Sequence, residues 1–450
     1  MQTLRQLADQ LASGEVRSRD LVAQCLERIA DPHGEGGRVF IEIDEQDILA
    51  QAEKIDSLRD EGFPPTEFAG IPISVKDLFD VQGQITRAGS AILDSAPIAQ
   101  KDASIVQKLR QAGFVILGRT NMTEFAYSGL GLNPHYGTPA NPYDRNSRRI
   151  PGGSSSGAAV SVTDAMAFGA IGTDTGGSCR IPAAFCGITG YKPTANRVSL
   201  KGVYPLSESL DSVGPLARSV DCCAILDAVL SGEKHDMGAE RPATSLKLGI
   251  LANYVLDDME PVVAHQYQLA CTALSAAGIK LVEVRIEDLE RLPDLNAKGG
   301  LAAAEAFAWH QTMLESASFD RYDPRVSSRI LKGREQSAAD YLHLLWERRK
   351  IISRANEATV DFDAVIYPTV PIIAPIVSAF DGDDDFYARM NLLALRNPTV
   401  TNFLDRCGIS LPLRLEEAPP VGLMVMGHHG KDRELFQIAR TLETLVSGKS

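Results

Sequence analysis

Three stretches of this 450-residue chain could do acyl chemistry together: the serine run of GGSSSG (152–157), Ser178 in TDTGGS (173–178) and Lys76 at the end of GIPISVK (70–76). A serine hydroxyl is a weak nucleophile until a base takes its proton, and the oxyanion it creates on a carbonyl needs donors already in place. The run ending in Ser178 offers the hydroxyl and, as donors, the backbone N–H groups of Thr175, Gly176, Gly177 and Ser178 itself; the glycines leave no side chain to crowd a substrate. The base is less obvious. No histidine stands between Tyr136 and Lys234, which leaves a histidine brought from afar or a lysine whose pKa is lowered by removal from water. Lys76 fits the second case because apolar residues precede it. Taken singly, each feature has a plainer reading: Gly/Ser runs are often flexible connectors, and a strand-end lysine is ordinarily solvated or paired with a neighbour such as Asp77. Cys179 is a rival nucleophile, but adjacency to Ser178 aims it elsewhere, and both it and Cys186 read as apolar packing.

The elements that must position these groups alternate. Residues 71–75 read as a strand ending at Lys76, DASIVQKLRQAG as a helix, FVILGRT as a strand, and DAMAFGAIG as a strand running into the Gly172–Ser178 loop and then a helix. This is the pattern of an α/β protein with a mixed or parallel sheet, in which function gathers at strand ends. At the N-terminus a helix with Ser18 as N-cap presents Leu21, Val22, Cys25, Leu26 and Ile29 on one face. Past a polar linker at 231–245, LKLGIL and IKLVEV read as strands around a helix, 301–356 as mostly helical, and DAVIYPTVPIIAP as a buried strand entering a Pro-rich loop. KDRELFQIARTLETLV closes the chain as an amphipathic helix.

Composition limits the function. Hydrophobic residues at 44% and charged residues at 23% are ordinary for a globular protein, and a formal net charge of −13 disfavours nucleic acid and acidic membranes as direct partners. No apolar run is long enough for a membrane span, and the first residues lack the apolar core of a secretion signal, so the expectation is a soluble, cytoplasmic protein. Seven cysteines without a CxxC pair read as reduced and buried, and the adjacent His428 and His429 as a loop pair rather than metal ligands; no metal or organic cofactor is expected.

Taken in order, GIPISVKDLFDV, GRTNMTEFA, NPYDRNSRRIPGGSSSGAA, GTDTGGSCRIPAAFCGITGYKPT and DSVGPLARSV resemble the amidase signature family, over nearly the whole chain and most strongly from Gly70 to Val220. The resemblance implies one large α/β fold over 1–450, a mixed β-sheet core covered by helices. Its parts would be an N-terminal helical segment over about 1–65, a catalytic core over about 66–230 and a substrate-shaping half over about 245–450. It implies Ser178 as the acylated nucleophile, Lys76 as general base and Ser154 as the bridging serine held by a cis peptide. Ser155, Asp174 and Arg180 would form a supporting hydrogen-bonded shell, the N–H groups of 175–178 an oxyanion hole, and a homodimer the assembly. Met122 and Phe125 are candidates to line an acyl pocket, and Arg396 or Arg406, read as loop residues, to select acidic substrates. The implied reaction is hydrolysis of a small-molecule carboxylic amide with release of ammonia or amine. The alternatives are the glutaminase component of a tRNA-dependent amidotransferase, its A subunit, or a hydrolase of urea-derived amides of the allophanate or biuret type. LRNPTVTNFLDRCGISLPLR departs from the amidotransferase pattern and favours a stand-alone hydrolase.

Overall fold

Strand and helix signals along the chain converge on one sheet. The computed structural model describes residues 2–236, 238–316, 319–413 and 418–446. Eleven strands lie among them: β1 Phe40–Glu42, β2 Pro72–Lys76, β3 Val115–Thr120, β4 Ala170–Thr173, β5 Thr189–Lys192, β6 Val213–Ala217, β7 Lys247–Leu251, β8 Lys280–Val284, β9 Ala364–Pro368, β10 Gly408–Leu413 and β11 Val421–Met426. Their order in space is β1-β3-β2-β4-β6-β5-β10-β11-β9-β7-β8. β2 runs parallel to β3 and β4, and β7 parallel to β8 and β9, while the stretch from β4 through β6, β5, β10 and β11 to β9 is antiparallel. The mixed α/β architecture is the one the alternation implies. β2, β3, β4, β5, β6, β9, β10 and β11 are buried at every position, so both their faces are covered.

The register of β2 against β4 matters most for function. Ser74 lies opposite Ala170 and Val75 opposite Ile171, so the carboxyl ends of two parallel neighbours finish side by side. Lys76 closes one strand, and Thr173 closes the other before the glycine-rich loop begins. The helix Ser156–Thr163, built of small and β-branched residues and buried over its first seven positions, packs on β2, β4 and β6. Its N-terminus delivers Ser154 and Ser155 to the same strand ends.

Three sequence expectations are corrected. Ser18 is the first helical residue rather than the cap: Arg17 occupies the cap position, and the Ser18 hydroxyl donates to the Gly70 carbonyl at 2.8 Å. The strand before the loop begins only at Ala170, because Ala165 takes a left-handed turn (φ 56°) that breaks DAMAFG. The largest difference is the helix Asp384–Phe403, which carries Pro398 in its interior and places Arg396 on a helix rather than a loop. Proline removes one helical hydrogen bond. Side-chain bonds hold the element on either side of it: Asn397 Nδ2 donates to the carbonyls of Val255 (2.9 Å) and Pro368 (2.8 Å), and Asn402 Nδ2 donates to Asp174 Oδ1 (2.9 Å).

Candidate active site

Lys76 is wholly buried, and its Nζ donates to Ser154 Oγ at 2.7 Å and to Thr173 Oγ1 at 2.9 Å. It has no carboxylate partner among the described residues. Asp77, the neighbour expected to neutralise it, is taken instead by Arg119 Nε at 2.6 Å and by the Gly89 N–H at 3.1 Å. Burial lowers the Lys76 pKa to about 7, against a smaller upward pull from Cys179, Asp174 and Asp211. A second buried lysine, Lys192, is lowered by burial to about 8, but its Nζ donates only to the carbonyls of Pro193 and Arg406. Of these two, Lys76 alone meets hydroxyl groups.

The two glycine-rich runs are rigid parts of the fold rather than connectors. A Cβ on Gly153 would lie 2.5 Å from the Gly131 backbone nitrogen, and the Gly153–Ser154 peptide is cis. Gly177 has φ 127°, and a Cβ there would fall 2.6 Å from Pro398 Cβ. The runs meet where the Ser155 N–H donates to the Ser178 carbonyl at 3.3 Å. Ser155 Oγ donates to the Thr173 carbonyl at 3.3 Å. The Ser178 hydroxyl has no protein partner among the described residues and faces a cavity, so the structure brings Lys76 and Ser154 into direct contact but does not join the hydroxyls of Ser154 and Ser178.

Asp174 organises the loop. Its carboxylate accepts from the N–H groups of Gly177 (2.8 Å) and Cys179 (3.1 Å), from Arg180 Nε (3.0 Å) and Nη2 (2.9 Å), and from Asn402 Nδ2 (2.9 Å). Burial pushes this carboxyl upward, but the Arg180 charge and the bonds from Arg180 and Asn402 hold it well below the usual carboxylate range. One expectation changes as a result. The Gly177 N–H is taken up by Asp174, which leaves the N–H groups of Thr175, Gly176 and Ser178 without a partner among the described residues. Thr175 is fixed in turn by its hydroxyl, which donates to Asp211 Oδ1 at 2.5 Å; burial lifts the Asp211 carboxyl to about 6. Replacing Arg180 by methionine would leave the Asp174 charge buried without its counterion. We expect a loss of about 3–5 kcal/mol in unfolding free energy, read by denaturant titration; a loss below about 1 kcal/mol would show that Asp174 does not depend on Arg180.

Ser178 opens on a cavity of about 560 Å³, lined by Thr175, Gly176, Ala126, Tyr127 and Ser128 and by several leucines, of which Leu395 lies against Gly176. Met122 and Phe125 are not among its walls. Both are buried, and Phe125 packs on Tyr204, His310 and Tyr322; the three residues that follow Phe125 line the cavity instead, because Phe125 and Ala126 adopt positive φ and redirect the chain. Arg406 is excluded as well: it is 1% exposed and donates to Asn356 Oδ1 and Thr359 Oγ1, each at 2.8 Å, with its pKa lowered by burial to about 10. Arg396 does reach the cavity. Cys179 is buried, its Sγ donating to the Gly214 carbonyl, and burial raises its pKa out of the reactive range. His428 and His429 each bond a backbone carbonyl, those of Phe362 and Asp405. Sequence reasoning missed Thr173, Asp211 and the link from Asn402 to Asp174. The only signal for Asn402 is its place in NFLD, a stretch whose pattern assigns it no role.

The site thus gathers a buried lysine on a serine hydroxyl, a second serine lining a cavity and backbone N–H groups beside it. The sequence matches the Amidase family over residues 20–436, and the chain belongs to that family, whose members cleave C–N amide bonds. It is 35% identical over 403 residues to 2-amino-5-chloromuconic acid deaminase of Comamonas testosteroni, covering 88% of this chain and 86% of the relative. It is 33% identical over 476 residues to the A subunit of the glutamyl-tRNA(Gln) amidotransferase of Chromohalobacter salexigens, covering 98% and 96%. A crystal structure of an amidase superposes with a TM-score of 0.89 at 29% identity, covering 99% of this chain and all of the other. The protein is an amidase-family hydrolase, and its relatives support a small-molecule substrate. Among the described residues no helix is long and apolar enough to cross a membrane.

Proposed function

We propose that the protein hydrolyses a small carboxylic amide through a seryl acyl-enzyme, with Ser178 as nucleophile, Ser154 as relay and Lys76 as base. The observation that carries the reading is the buried, uncompensated Lys76 amine on Ser154 Oγ at 2.7 Å. In its neutral form this amine accepts the Ser154 proton while Ser154 accepts that of Ser178. The freed Ser178 oxygen bonds to the amide carbon, and the oxyanion rests on the N–H groups of Thr175, Gly176 and Ser178. The ammonium of Lys76 then returns the proton through Ser154 to the leaving nitrogen, the C–N bond breaks, and ammonia or an amine departs. Water attacks the ester by the same relay and restores the Ser178 hydroxyl. The contact between Ser154 and Ser178 closes with substrate bound, as catalytic hydrogen bonds often do. Ser155, Asp174 and Arg180 act through loop geometry.

The protein is further proposed to work in the cytoplasm as a homodimer, the assembly the family resemblance implies; its seven free, buried cysteines suit a reducing compartment. The similarity to an amidotransferase component over nearly the whole chain supports a second reading, glutamine hydrolysis for a partner. Ammonia release from aliphatic, aryl, indoleacetic, malonic and urea-derived amides and from glutamine separates the two, with Ser178 labelled in parallel by phenylmethanesulfonyl fluoride. Labelling of Ser178 with turnover of small amides is the expected result. Turnover of glutamine alone moves the second reading forward, and absence of both labelling and ammonia overturns the mechanism.

A further inference from the structure

The lining of the cavity carries a charge pattern opposite to that of the molecule. Four acidic or basic side chains line the cavity: Arg329, Lys332, Arg396 and Asp258. Three cations therefore face one carboxylate inside a chain whose net charge is −13. Asp258 is largely exposed and lies 3.8 Å from Arg396, whose guanidinium also donates to the Asp257 and Val255 carbonyls and to Asn397 Oδ1. That pair is occupied by the structure.

Arg329 and Lys332 are not occupied in this way. Arg329 lies on the helix Pro324–Leu331, and Lys332 follows that helix directly, so the two share a face at i and i+3. Arg325 on the same helix is neutralised by Asp384 at 2.9 Å, whereas neither Arg329 nor Lys332 has a carboxylate within 4.0 Å among the described residues. Arg329 is half-buried and held in one pose: its Nη1 donates to the Tyr127 carbonyl, and its guanidinium stacks 4.4 Å over the Tyr127 ring. Tyr127 and Ser128 also line the cavity together with Thr175 and Ser178, so the residue that positions Arg329 shares the cavity of the proposed nucleophile. The remaining guanidinium donors have no protein acceptor among the described residues. A planar fork fixed in a partly desolvated, apolar-walled cavity and lacking a counterion is suited to a carboxylate in bidentate contact. The leucines that line the same cavity suit a short hydrocarbon spacer.

We propose that Arg329, assisted by Lys332, is the specificity residue for an anionic group on the substrate, and that the substrate class is the amic acids: molecules carrying a carboxylate at one end and the scissile amide at the other. This rests on the seryl mechanism above for its turnover arm. The half-amides of malonic, succinic and glutaric acids are compared with the corresponding neutral diamides. The wild-type protein is expected to favour the best half-amide by about 10- to 100-fold in kcat/KM, mainly through KM, as for a charge-assisted bond. Arg329→Leu should reduce that ratio to near one, Arg329→Lys should retain part of it, and Lys332→Gln, at a more exposed position, should lower it about 2- to 5-fold. Equal use of half-amide and diamide by the wild type would overturn the proposal. So would an Arg329→Leu protein that loses both substrates in equal proportion. Calorimetric binding of succinate against succinamide to the Ser178→Ala protein needs no chemistry: tighter binding of succinate, lost on adding Arg329→Leu, supports the anion site even if the seryl mechanism fails. Equal binding of the two removes the site whatever the mechanism.

Discussion

Ser178→Ala is expected to lower kcat by about 10⁴-fold or more while leaving the fold and its stability unchanged within about 0.5 kcal/mol. The two halves of this outcome have separate causes. In the proposed mechanism the hydroxyl oxygen forms the bond to the acyl carbon, and the adjacent Cys179 thiol does not replace it, because that thiol is buried and bonded to the Gly214 carbonyl. Stability is spared because the Ser178 hydroxyl makes no protein hydrogen bond among the described residues, so its removal strands no donor or acceptor. The backbone contacts that hold the loop, from the Ser155 N–H to the Ser178 carbonyl and from the N–H groups of Gly177 and Cys179 to Asp174, do not involve that side chain. Ammonia release measured beside a denaturant titration checks both halves. An alanine protein that keeps more than about a hundredth of the activity would transfer the nucleophile elsewhere.

Lys76→Met is expected to lower kcat/KM by about 10³-fold, within the range for loss of a positioned base, and to flatten the pH profile. In the wild type the rate should rise about tenfold per pH unit below the Lys76 pKa of about 7 and level off above it, because only the neutral amine accepts a proton. The same residue leaves a mark on stability. Its folded pKa of about 7 lies below the ordinary value of 10.5, so between these values the unfolded chain binds one more proton than the folded chain. Unfolding free energy therefore rises with pH across that window, with a slope of up to about 1.4 kcal/mol per unit from this group. The cost of burying the charged amine is fully present below pH 7 and gone above 10.5. Subtracting the Lys76→Met curve from the wild-type curve isolates the effect. A flat difference would mean that Lys76 is not held in a depressed state, and a wild-type rate independent of pH from about 5 to about 9 would remove it as the base.

Much of this site is local and was legible as such. Lys76 ends a buried strand because five residues of suitable type precede a polar one, and each glycine-rich run places its serine within a few residues of a backbone bend. The presence of hydroxyl and N–H groups near strand ends follows from short-range pattern, whereas burial of the lysine does not: a strand-end lysine is ordinarily solvated, and here the packed sheet encloses it. What the pattern could not supply is pairing across long sequence separation. Asn402 meets Asp174, and Arg329 meets Tyr127, only after an eleven-stranded sheet has chosen its order and a helix has continued through Pro398, against the local preference of proline. The same distance explains the misplacement of Met122, Phe125 and Arg406, since apolar and basic types are equally suited to a core, a cavity wall or a buried hydrogen-bonded post. The sequence by itself determined a serine flanked by glycines with their backbone N–H groups and a lysine closing an apolar strand, because residue type and local periodicity encode those; the relay and base roles came only with the family resemblance. Only the tertiary structure decided which N–H groups stay free, which cations face the cavity without a partner and what the cavity admits, because these depend on the directions of side chains brought together from opposite ends of the chain.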